Sequence, residues 1–246
     1  MMQAVILAGG RGTRLSALWA DRPKALVPVA GRPFLEWQLD WLARGGVRRV
    51  HIAAGYMGDR IEEWLRGPGA ALPLSVSVGR EPAPLGTGGG LKYAEPSVGG
   101  DPFLALNGDS LLPRLDFQSL EKAWHVLSRD WKQPPAMLAV TRIEESGRYG
   151  TVEFDERQRV TAFREKAQRE CGWVNGGVYV IPRSLLAPLE AGRNVSLETD
   201  VFPALAEQGR LSVFPAPPPL LDMGTPDGIA AMEPYLEGAR GAPGQP

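Results

Sequence analysis

The chain has 246 residues, 43% of them hydrophobic, and sets 27 lysines and arginines against 28 aspartates and glutamates for a formal net charge of −1. That length supports one domain with a substantial core, and the balanced charge excludes a general nucleic-acid-binding surface, which carries a basic excess. A single cysteine, Cys171, excludes an internal disulfide framework and fits a reducing compartment, and nothing beside it in sequence would activate a thiolate. No basic leader precedes the first apolar run, and no stretch approaches the about 20 apolar residues of a membrane span. No membrane partner is therefore expected, and the cytoplasm is the expected compartment.

In chain order, residues 2–8 read as an apolar strand buried on both faces. Residues 33–44 read as a helix: Pro33 suits a first turn, Leu35, Leu39 and Leu42 share a face, and Gly45 can cap the end. Strands follow at 49–54, 74–78 and 103–106, interleaved with short helices at 59–65 and 89–94; the last of these strands ends in Asn107-Gly108-Asp109. The second half is richer in strands. They are expected at 136–141, in a hairpin of 151–154 and 160–165 across Asp155 to Arg159, and in 174–181, where Asn175-Gly176-Gly177 precedes the strand. A further acidic-glycine element, Asp222-Met223-Gly224-Thr225, lies within 220–225. Residues 238–246 have nothing to bury and read as a disordered tail, which leaves 1–237 as one domain. The alternation predicts an α/β fold with a mainly parallel sheet flanked by helices.

Ligands on such sheets bind beyond the carboxyl ends of the strands, and two motifs fall there. The first is Ala8-Gly9-Gly10-Arg11-Gly12-Thr13-Arg14-Leu15. It is not a dinucleotide fingerprint, and no GxxxxGK[ST] occurs in the chain, so it is not an ordinary P-loop either. A tight turn alone would explain Gly9 and Gly10; Arg11, Thr13 and Arg14 add donors suited to phosphate oxygens. Lys24, in the nearby Asp21-Arg22-Pro23-Lys24, can reach the same phosphates. The second motif is Asn107-Gly108-Asp109. Asp109 or Asp222 alone reads as a cap or turn residue, but two carboxylates at strand ends match hard oxygen ligation of Mg²⁺. The histidines show no ligand spacing: His51 reads as a strand residue and His125 as a helix-surface residue. Asn194-Val195-Ser196 matches a glycosylation sequon by coincidence.

After AGGRGTRL come RPKALVPVAGRPFLEW, REPAPLGTGGGLKYA, LNGDSLL, GRYGTVEFDERQRVTAFREK, WVNGGVYVI and LLDMGTPDG, in that order. With these segments the chain resembles the sugar-1-phosphate nucleotidyltransferases over nearly its whole length, from Gln3 to about Tyr235. Arg148-Tyr149-Gly150-Thr151-Val152 and PLGTGG bring it nearest to the D-glycero-α-D-manno-heptose 1-phosphate guanylyltransferases. The resemblance implies a Rossmann-like, glycosyltransferase-A-like sheet with a small β-rich sugar-binding part. It also implies transfer of a nucleoside monophosphate from a triphosphate, GTP being expected, to a sugar 1-phosphate, with release of pyrophosphate and Mg²⁺ as cofactor.

The resemblance further implies residue roles. Leu7, Ala8, Gly9, Gly10, Gly86 and Thr87 would frame the base and ribose, with Glu81 against the base. Gly12, Thr13 and Arg14 would hold the triphosphate, Lys24 would neutralise it, and Asp109 and Asp222 would bind Mg²⁺. Gly150, Glu165, Lys166, Asn175 and Gly176 would receive the sugar phosphate. Arg14, Lys24, Asp109, Lys166 and Asp222 form the implied catalytic set. Glu81-Pro82-Ala83-Pro84-Leu85-Gly86 is one residue longer than a direct Glu-Pro-Leu-Gly, which leaves the place of Glu81 against the base open. The alternatives are a uridylyltransferase acting on a sugar such as N-acetylmuramic acid 1-phosphate and a catalytically silent nucleotide-sugar-binding regulator. Retention of the whole charged set argues against the regulator. The sugar and a homo-oligomeric state stay open.

Overall fold

The structure, a computed structural model, describes residues 1–10, 12, 19–129, 131, 133–144, 150–164 and 171–240. The chain opens with β1 (Ala4–Ala8) and a small hairpin of β2 (Pro28–Val29) and β3 (Arg32–Pro33). Next come α1 (Phe34–Arg44), β4 (Arg49–Ala54), α2 (Gly58–Arg66), β5 (Ser75–Arg80) and α3 (Gly86–Ala94). They are followed by β6 (Phe103–Asn107), β7 (Ser110–Leu111) and α4 (Phe117–Ser128). The second half comprises β8 (Ala136–Ile143), β9 (Thr151–Phe154), β10 (Val160–Arg164) and β11 (Gly172–Ile181). It ends with α5 (Phe202–Glu207), β12 (Leu211–Ala216), β13 (Leu221–Asp222) and α6 (Pro226–Arg240).

Among the described residues one nine-stranded sheet runs β10-β9-β11-β6-β1-β4-β5, with β8 on β11 and β12 on β8. Its centre is parallel: β1 pairs with both β4 and β6, and β4 with β5. Strands of this kind are covered on both faces, and β1 shows it directly. Ala4 and Ile6 enter one core with α1 and α4, while Val5 enters the other with Leu91 of α3 and Phe202 of α5. From β1 the chain passes to β4 and β5 on one side and only later to β6 on the other. That reversal at the carboxyl ends of β1 and β6 is where ligands bind in open α/β sheets.

The antiparallel strands gather on the far side of β6. β11 runs antiparallel to β6, β8 and β9, and β9 and β10 form the expected hairpin. Asp155 closes that hairpin, its Oδ1 accepting from the N–H groups of Arg157 and Arg159 at 2.9 Å each. A third apolar cluster lies outside the sheet. It joins Val27 and Val29 to Phe34 and Trp37 of α1, Leu111 of β7, Leu221 of β13, and Ile229 and Met232 of α6.

Several local expectations are corrected. Pro33 precedes α1 rather than forming its first turn. Gly45 does cap α1 as expected, its N–H donating to Trp41 O, although with φ −69° the left-handed turn falls on the next residue, Gly46 (φ +88°), and a Cβ on Gly45 would meet the Phe117 ring at 2.3 Å. Asn175-Gly176-Gly177 lies inside β11, at a register shift between Asn175 and Tyr179, rather than before the strand. α3 begins at Gly86 instead of 89, because its three consecutive glycines are helical here. α6 runs through 238–240, into the segment expected to be a tail. His51 is a buried strand residue of β4, its Nδ1 2.9 Å from Ser77 Oγ, and burial pushes its pKa down. Among the described residues no helix is long and apolar enough to cross a membrane.

Candidate active site

A cleft of about 430 Å³ opens at the carboxyl ends of β1 and β6, within the size range of small-molecule sites. Leu7, Ala8, Gly9, Gly10 and Gly12 line one wall, Glu81 and Pro84 to Thr87 another, and Lys24, Asn107, Gly108, Asp109 and Asn194 complete it. The first-strand loop and the Asn107-Gly108-Asp109 turn thus meet as their strand-end positions required. The parallel register sets Leu7 beside Asn107 and Ala53, and Gly108 N–H donates to Leu7 O at 3.0 Å. Beneath this turn lies Gln38, fully buried on α1, whose Nε2 donates to Asn107 O at 2.8 Å and to Ser110 O at 3.0 Å. A glutamine on the Leu35–Leu39–Leu42 face of a helix was the available signal for this brace.

Lys24 is fixed by the chain around it. Pro23 and Pro28 bracket a single 3₁₀ turn, Lys24–Leu26, and Ala25 and Val27 point into the protein. Gly12, at φ +60°, passes so close that a Cβ there would sit 3.0 Å from Lys24 Cβ. The Lys24 side chain is only 18% exposed, and its Nζ donates to Asp109 Oδ2 at 2.6 Å. Asp109 Oδ1 accepts from Ser110 Oγ at 3.2 Å. The pairing of β7 with β13 sets Asp222 opposite Ser110, and Met223 N–H donates to Asp109 O at 3.0 Å. Asp109, the residue before β7, and Asp222 of β13, 113 positions apart in sequence, are thus brought to one end of this two-stranded element, although Asp222 itself does not line the cleft. Asp222 Oδ1 accepts from Gly224 N–H at 2.7 Å, which fixes one of its oxygens.

Glu81 follows β5, its N–H donating to Ala54 O at 2.7 Å. Its carboxyl lies between two glycines: a Cβ on Gly9 or on Gly90 would come within 2.8 Å of a carboxyl oxygen. The pair of glycines after β1 is thus explained at Gly9 by packing, while a Cβ on Gly10 would meet nothing within 4 Å and faces open space. Glu81 Oε2 accepts from Leu85 N–H at a long 3.4 Å. Burial outweighs that bond and pushes the Glu81 carboxyl up to about 7, so near neutral pH it is poised between its two forms.

The start of α3 is strapped down by the segment 193–195. Gly88 and Gly89 N–H groups donate to Val195 O at 2.8 and 3.1 Å, Val195 N–H to Leu85 O at 2.8 Å, and Asn194 Nδ2 to Pro84 O at 2.8 Å. A Cβ on Gly86 would lie 2.5 Å from Val195 O, and one on Gly89 2.3 Å from Arg193 O. Gly86 and Gly89 of PLGTGGG are thereby explained by close backbone approach, and Gly90 by the Glu81 carboxyl. The sequon asparagine is a cleft residue, which the sequence reading missed. Thr87 lines the cleft, yet its hydroxyl is committed elsewhere, donating to Glu198 Oε2 at 2.7 Å and accepting from Leu197 N–H at 2.7 Å.

Of the residues expected around the sugar phosphate, Gly150 is exposed just ahead of β9. Asn175 sits in the β11 irregularity with Oδ1 accepting from Gly177 N–H and Nδ2 donating to Tyr179 OH, each at 2.9 Å. Gly176 is buried, and a Cβ there would meet Leu112 Cδ1 at 2.4 Å, which gives this glycine a packing reason of its own. A Cβ on Gly177 would stand 3.2 Å from Asn107, so the irregularity abuts the cleft wall. Arg11, Thr13, Arg14, Glu165 and Lys166 lie outside the described residues. Lys24 is the one cation lining the cleft among those described. Cys171 is exposed, and Arg142 Nη2 reaches its Sγ at 3.7 Å, a cationic neighbour that sequence adjacency did not offer.

The sequence of residues 3–237 matches the family model described as nucleotidyl transferase. The chain belongs to the nucleotidyl transferase family. This nucleotidyl transferase is 33% identical over 258 residues to a mannose-1-phosphate guanylyltransferase of Mycobacterium tuberculosis, covering 98% of this chain and 68% of that one. It is 32% identical over 244 residues to the catalytic subunit beta of mannose-1-phosphate guanylyltransferase from Danio rerio, of which it spans 66%. With a D-glycero-alpha-D-manno-heptose 1-phosphate guanylyltransferase of Campylobacter jejuni it shares 32% identity over 197 residues, covering 80% of this chain and 83% of the other. A crystal structure of HddC from Yersinia pseudotuberculosis complexed with GMP-PN superimposes with a TM-score of 0.84 at 27% identity, over 96% of this chain and all of that one. The expected family and the mostly parallel Rossmann-like fold of this nucleotidyl transferase are thus borne out.

Proposed function

We propose that this chain transfers GMP from GTP to a sugar 1-phosphate of manno configuration, releasing pyrophosphate and forming a GDP-sugar. D-glycero-α-D-manno-heptose 1-phosphate is the first choice, on the motifs that resemble its guanylyltransferases; mannose 1-phosphate is the acceptor named for other relatives of comparable identity. The observation that carries the reading is the content of the cleft: a lysine-aspartate pair beside a glycine loop, and a half-buried carboxyl that has one long bond from the protein.

The acceptor phosphate has a second pKa near ~6 and arrives ionised, so no general base is required, in keeping with a cleft that no histidine lines. One of its oxygens attacks the α-phosphorus of GTP, the bond to the bridging oxygen breaks, and pyrophosphate leaves. The protein's task is to align the two phosphates and neutralise their charge. Lys24 serves this by turning its ammonium from Asp109 to the triphosphate. Arg14 on the same loop, and Lys166 with Glu165 on the acceptor side, complete the proposed set. Glu81 accepts from guanine N1–H and the N2 amino group, a donor pair that uracil does not offer.

Asp109 and Asp222 fit Mg²⁺: both are hard oxygen donors, one just before β7 and one on the β13 strand paired with it, and a cation, the Lys24 ammonium, already stands against Asp109. Mg²⁺ is typically held by one or two carboxylates and completed by phosphate oxygens and water, which two aspartates suit. When bound, the ion would supply further neutralisation of the triphosphate. The test is pyrophosphate release across GTP, UTP, CTP and ATP paired with mannose and heptose 1-phosphates. GTP is expected to exceed UTP by about 10-fold or more, since unpaired polar groups in the wrong complex cost at least ~1–3 kcal/mol. Equal turnover with UTP would sink the guanylyl assignment.

A further inference from the structure

One polar chain leaves the cleft and passes through the protein to the β11 irregularity. Thr87, on the cleft wall, donates to Glu198 Oε2 at 2.7 Å, and Ser196 Oγ donates to the same oxygen at 3.0 Å. The other oxygen, Oε1, accepts from Tyr179 OH at 3.1 Å, and that hydroxyl in turn accepts from Asn175 Nδ2 at 2.9 Å. Tyr179 is fully buried against Phe202, with ring centroids 5.2 Å apart, so its hydroxyl has no solvent to fall back on. Glu198 itself comes from a short π-helical turn, Leu197–Val201, whose entry is capped by Ser196 Oγ accepting from Thr199 N–H at 3.2 Å. Such turns are uncommon and concentrate at functional sites.

Among the described residues the Glu198 carboxyl is held by three hydroxyl donors, Thr87, Ser196 and Tyr179, and by no cation. A fully satisfied network of this kind is rigid, while a half-satisfied one is costly. Its two ends are also the two ends of the proposed reaction. Thr87 sits in the first turn of α3, proposed for the nucleotide, and Asn175 in β11, proposed for the sugar phosphate. We infer that Glu198 is a positioning residue that couples the nucleotide subsite to the sugar-phosphate subsite, through Thr87 on one side and Tyr179 and Asn175 on the other. The inference rests on the guanylyltransferase reading above and deepens it. A nucleotide that settles the Thr87 turn also settles the Glu198 carboxylate, and with it the orientation of the Asn175 amide.

The coupling is measured by calorimetry. The Kd of mannose 1-phosphate and of the heptose 1-phosphate is determined with and without a GTP analogue bearing a non-cleavable α–β bridge. In the wild type the analogue is expected to tighten one of them by about 5-fold or more, the lower end of measured site-site couplings. In Glu198→Gln and in Tyr179→Phe the factor falls below about 2-fold, while Thr87→Ser, which keeps the hydroxyl, retains it. Tyr179→Phe removes one oxygen only and keeps the test alive if Glu198→Gln does not fold. A carboxylate that merely braces the fold would lower the melting temperature and leave the coupling factor intact in both variants, which overturns the inference. A wild type that binds both ligands with no coupling also overturns it. A wild type that binds neither analogue nor sugar phosphate removes the guanylyltransferase reading itself, and the inference with it.

Discussion

Replacing Glu81 with glutamine keeps the side-chain volume between Gly9 and Gly90 and removes the charge. Among the described residues the carboxyl has one protein donor, the Leu85 N–H at 3.4 Å, so both oxygens retain capacity for a ligand. In the proposed complex guanine would fill them with two hydrogen bonds to a charged acceptor, each worth about 1.5–3 kcal/mol. Glutamine keeps one acceptor and turns its own amino group toward the guanine amino group. The net loss is about 2–3 kcal/mol, or roughly 30–150-fold in GTP affinity. UTP affinity should change by less than about 3-fold, because uracil has no donor pair to lose.

The same residue fixes a pH dependence with a definite sign. Burial pushes Glu81 up to about 7, and only the ionised form accepts both guanine donors. Wild-type preference for GTP over UTP should therefore fall by about tenfold per pH unit below 7 and level off above it. Taking the ratio of the two affinities cancels the shared titration of the triphosphates. Glu81→Gln should show a flat ratio. Stability follows the opposite sense. The folded value lies above the ordinary 4.5, so the folded chain holds this proton more tightly; the resulting stability is present below about 4.5 and is lost as pH rises through about 7. Glu81→Gln should accordingly melt higher than the wild type at pH 8 and close to it at pH 4.5. Calorimetry with non-cleavable GTP and UTP analogues from pH 5.5 to 8.5 gives the affinities. A wild-type ratio that is flat across that range, or a glutamine variant within 3-fold of wild type for GTP, refutes the role of Glu81.

Three further outcomes are expected. Lys24→Ala should fold normally, since among the described residues its ammonium is paired with Asp109 alone, and lose about 10²–10³ in kcat, the worth of one charged transition-state contact; retention of a tenth of wild-type turnover contradicts it. Asp222→Asn should raise the Mg²⁺ concentration needed for half-maximal turnover, and an unchanged metal titration removes Asp222 from the ion site. Gly89→Ala places a Cβ 2.3 Å from the Arg193 carbonyl oxygen, a backbone atom, so about 1–3 kcal/mol of overpacking should lower the melting temperature by about 2–4 °C per kcal/mol; an unshifted melt refutes the strap against α3.

What the sequence disclosed depended on whether the signal was local. The continuous apolar runs of β1, β4 and β6 need no partner to be read, and strand ends followed by glycine loops located the cleft. A site shared by Asp109 and Asp222 was expected from residue type alone; the pairing of β7 with β13, which sets Asp222 opposite Ser110, involves strands of two residues each, too short for any periodicity. Gly86 was expected to frame the base and ribose, but Gly86 and Gly89 also have a packing reason that only the fold shows: the carbonyl oxygens of Val195 and Arg193, about a hundred residues downstream. Gln38 and Glu198 were illegible for a related reason: a polar residue among apolar neighbours shows that something is satisfied there, and only the folded chain shows by what.

The central claim is tested most directly by following the α-phosphate. GTP labelled at that phosphate is incubated with the protein, Mg²⁺ and either mannose 1-phosphate or D-glycero-α-D-manno-heptose 1-phosphate, and the products are separated. The account predicts that the label appears in a GDP-sugar, one pyrophosphate is released per sugar nucleotide formed, and Lys24→Ala reduces both together. Label that stays in GTP with both sugars, or pyrophosphate released without a labelled sugar nucleotide, would contradict it.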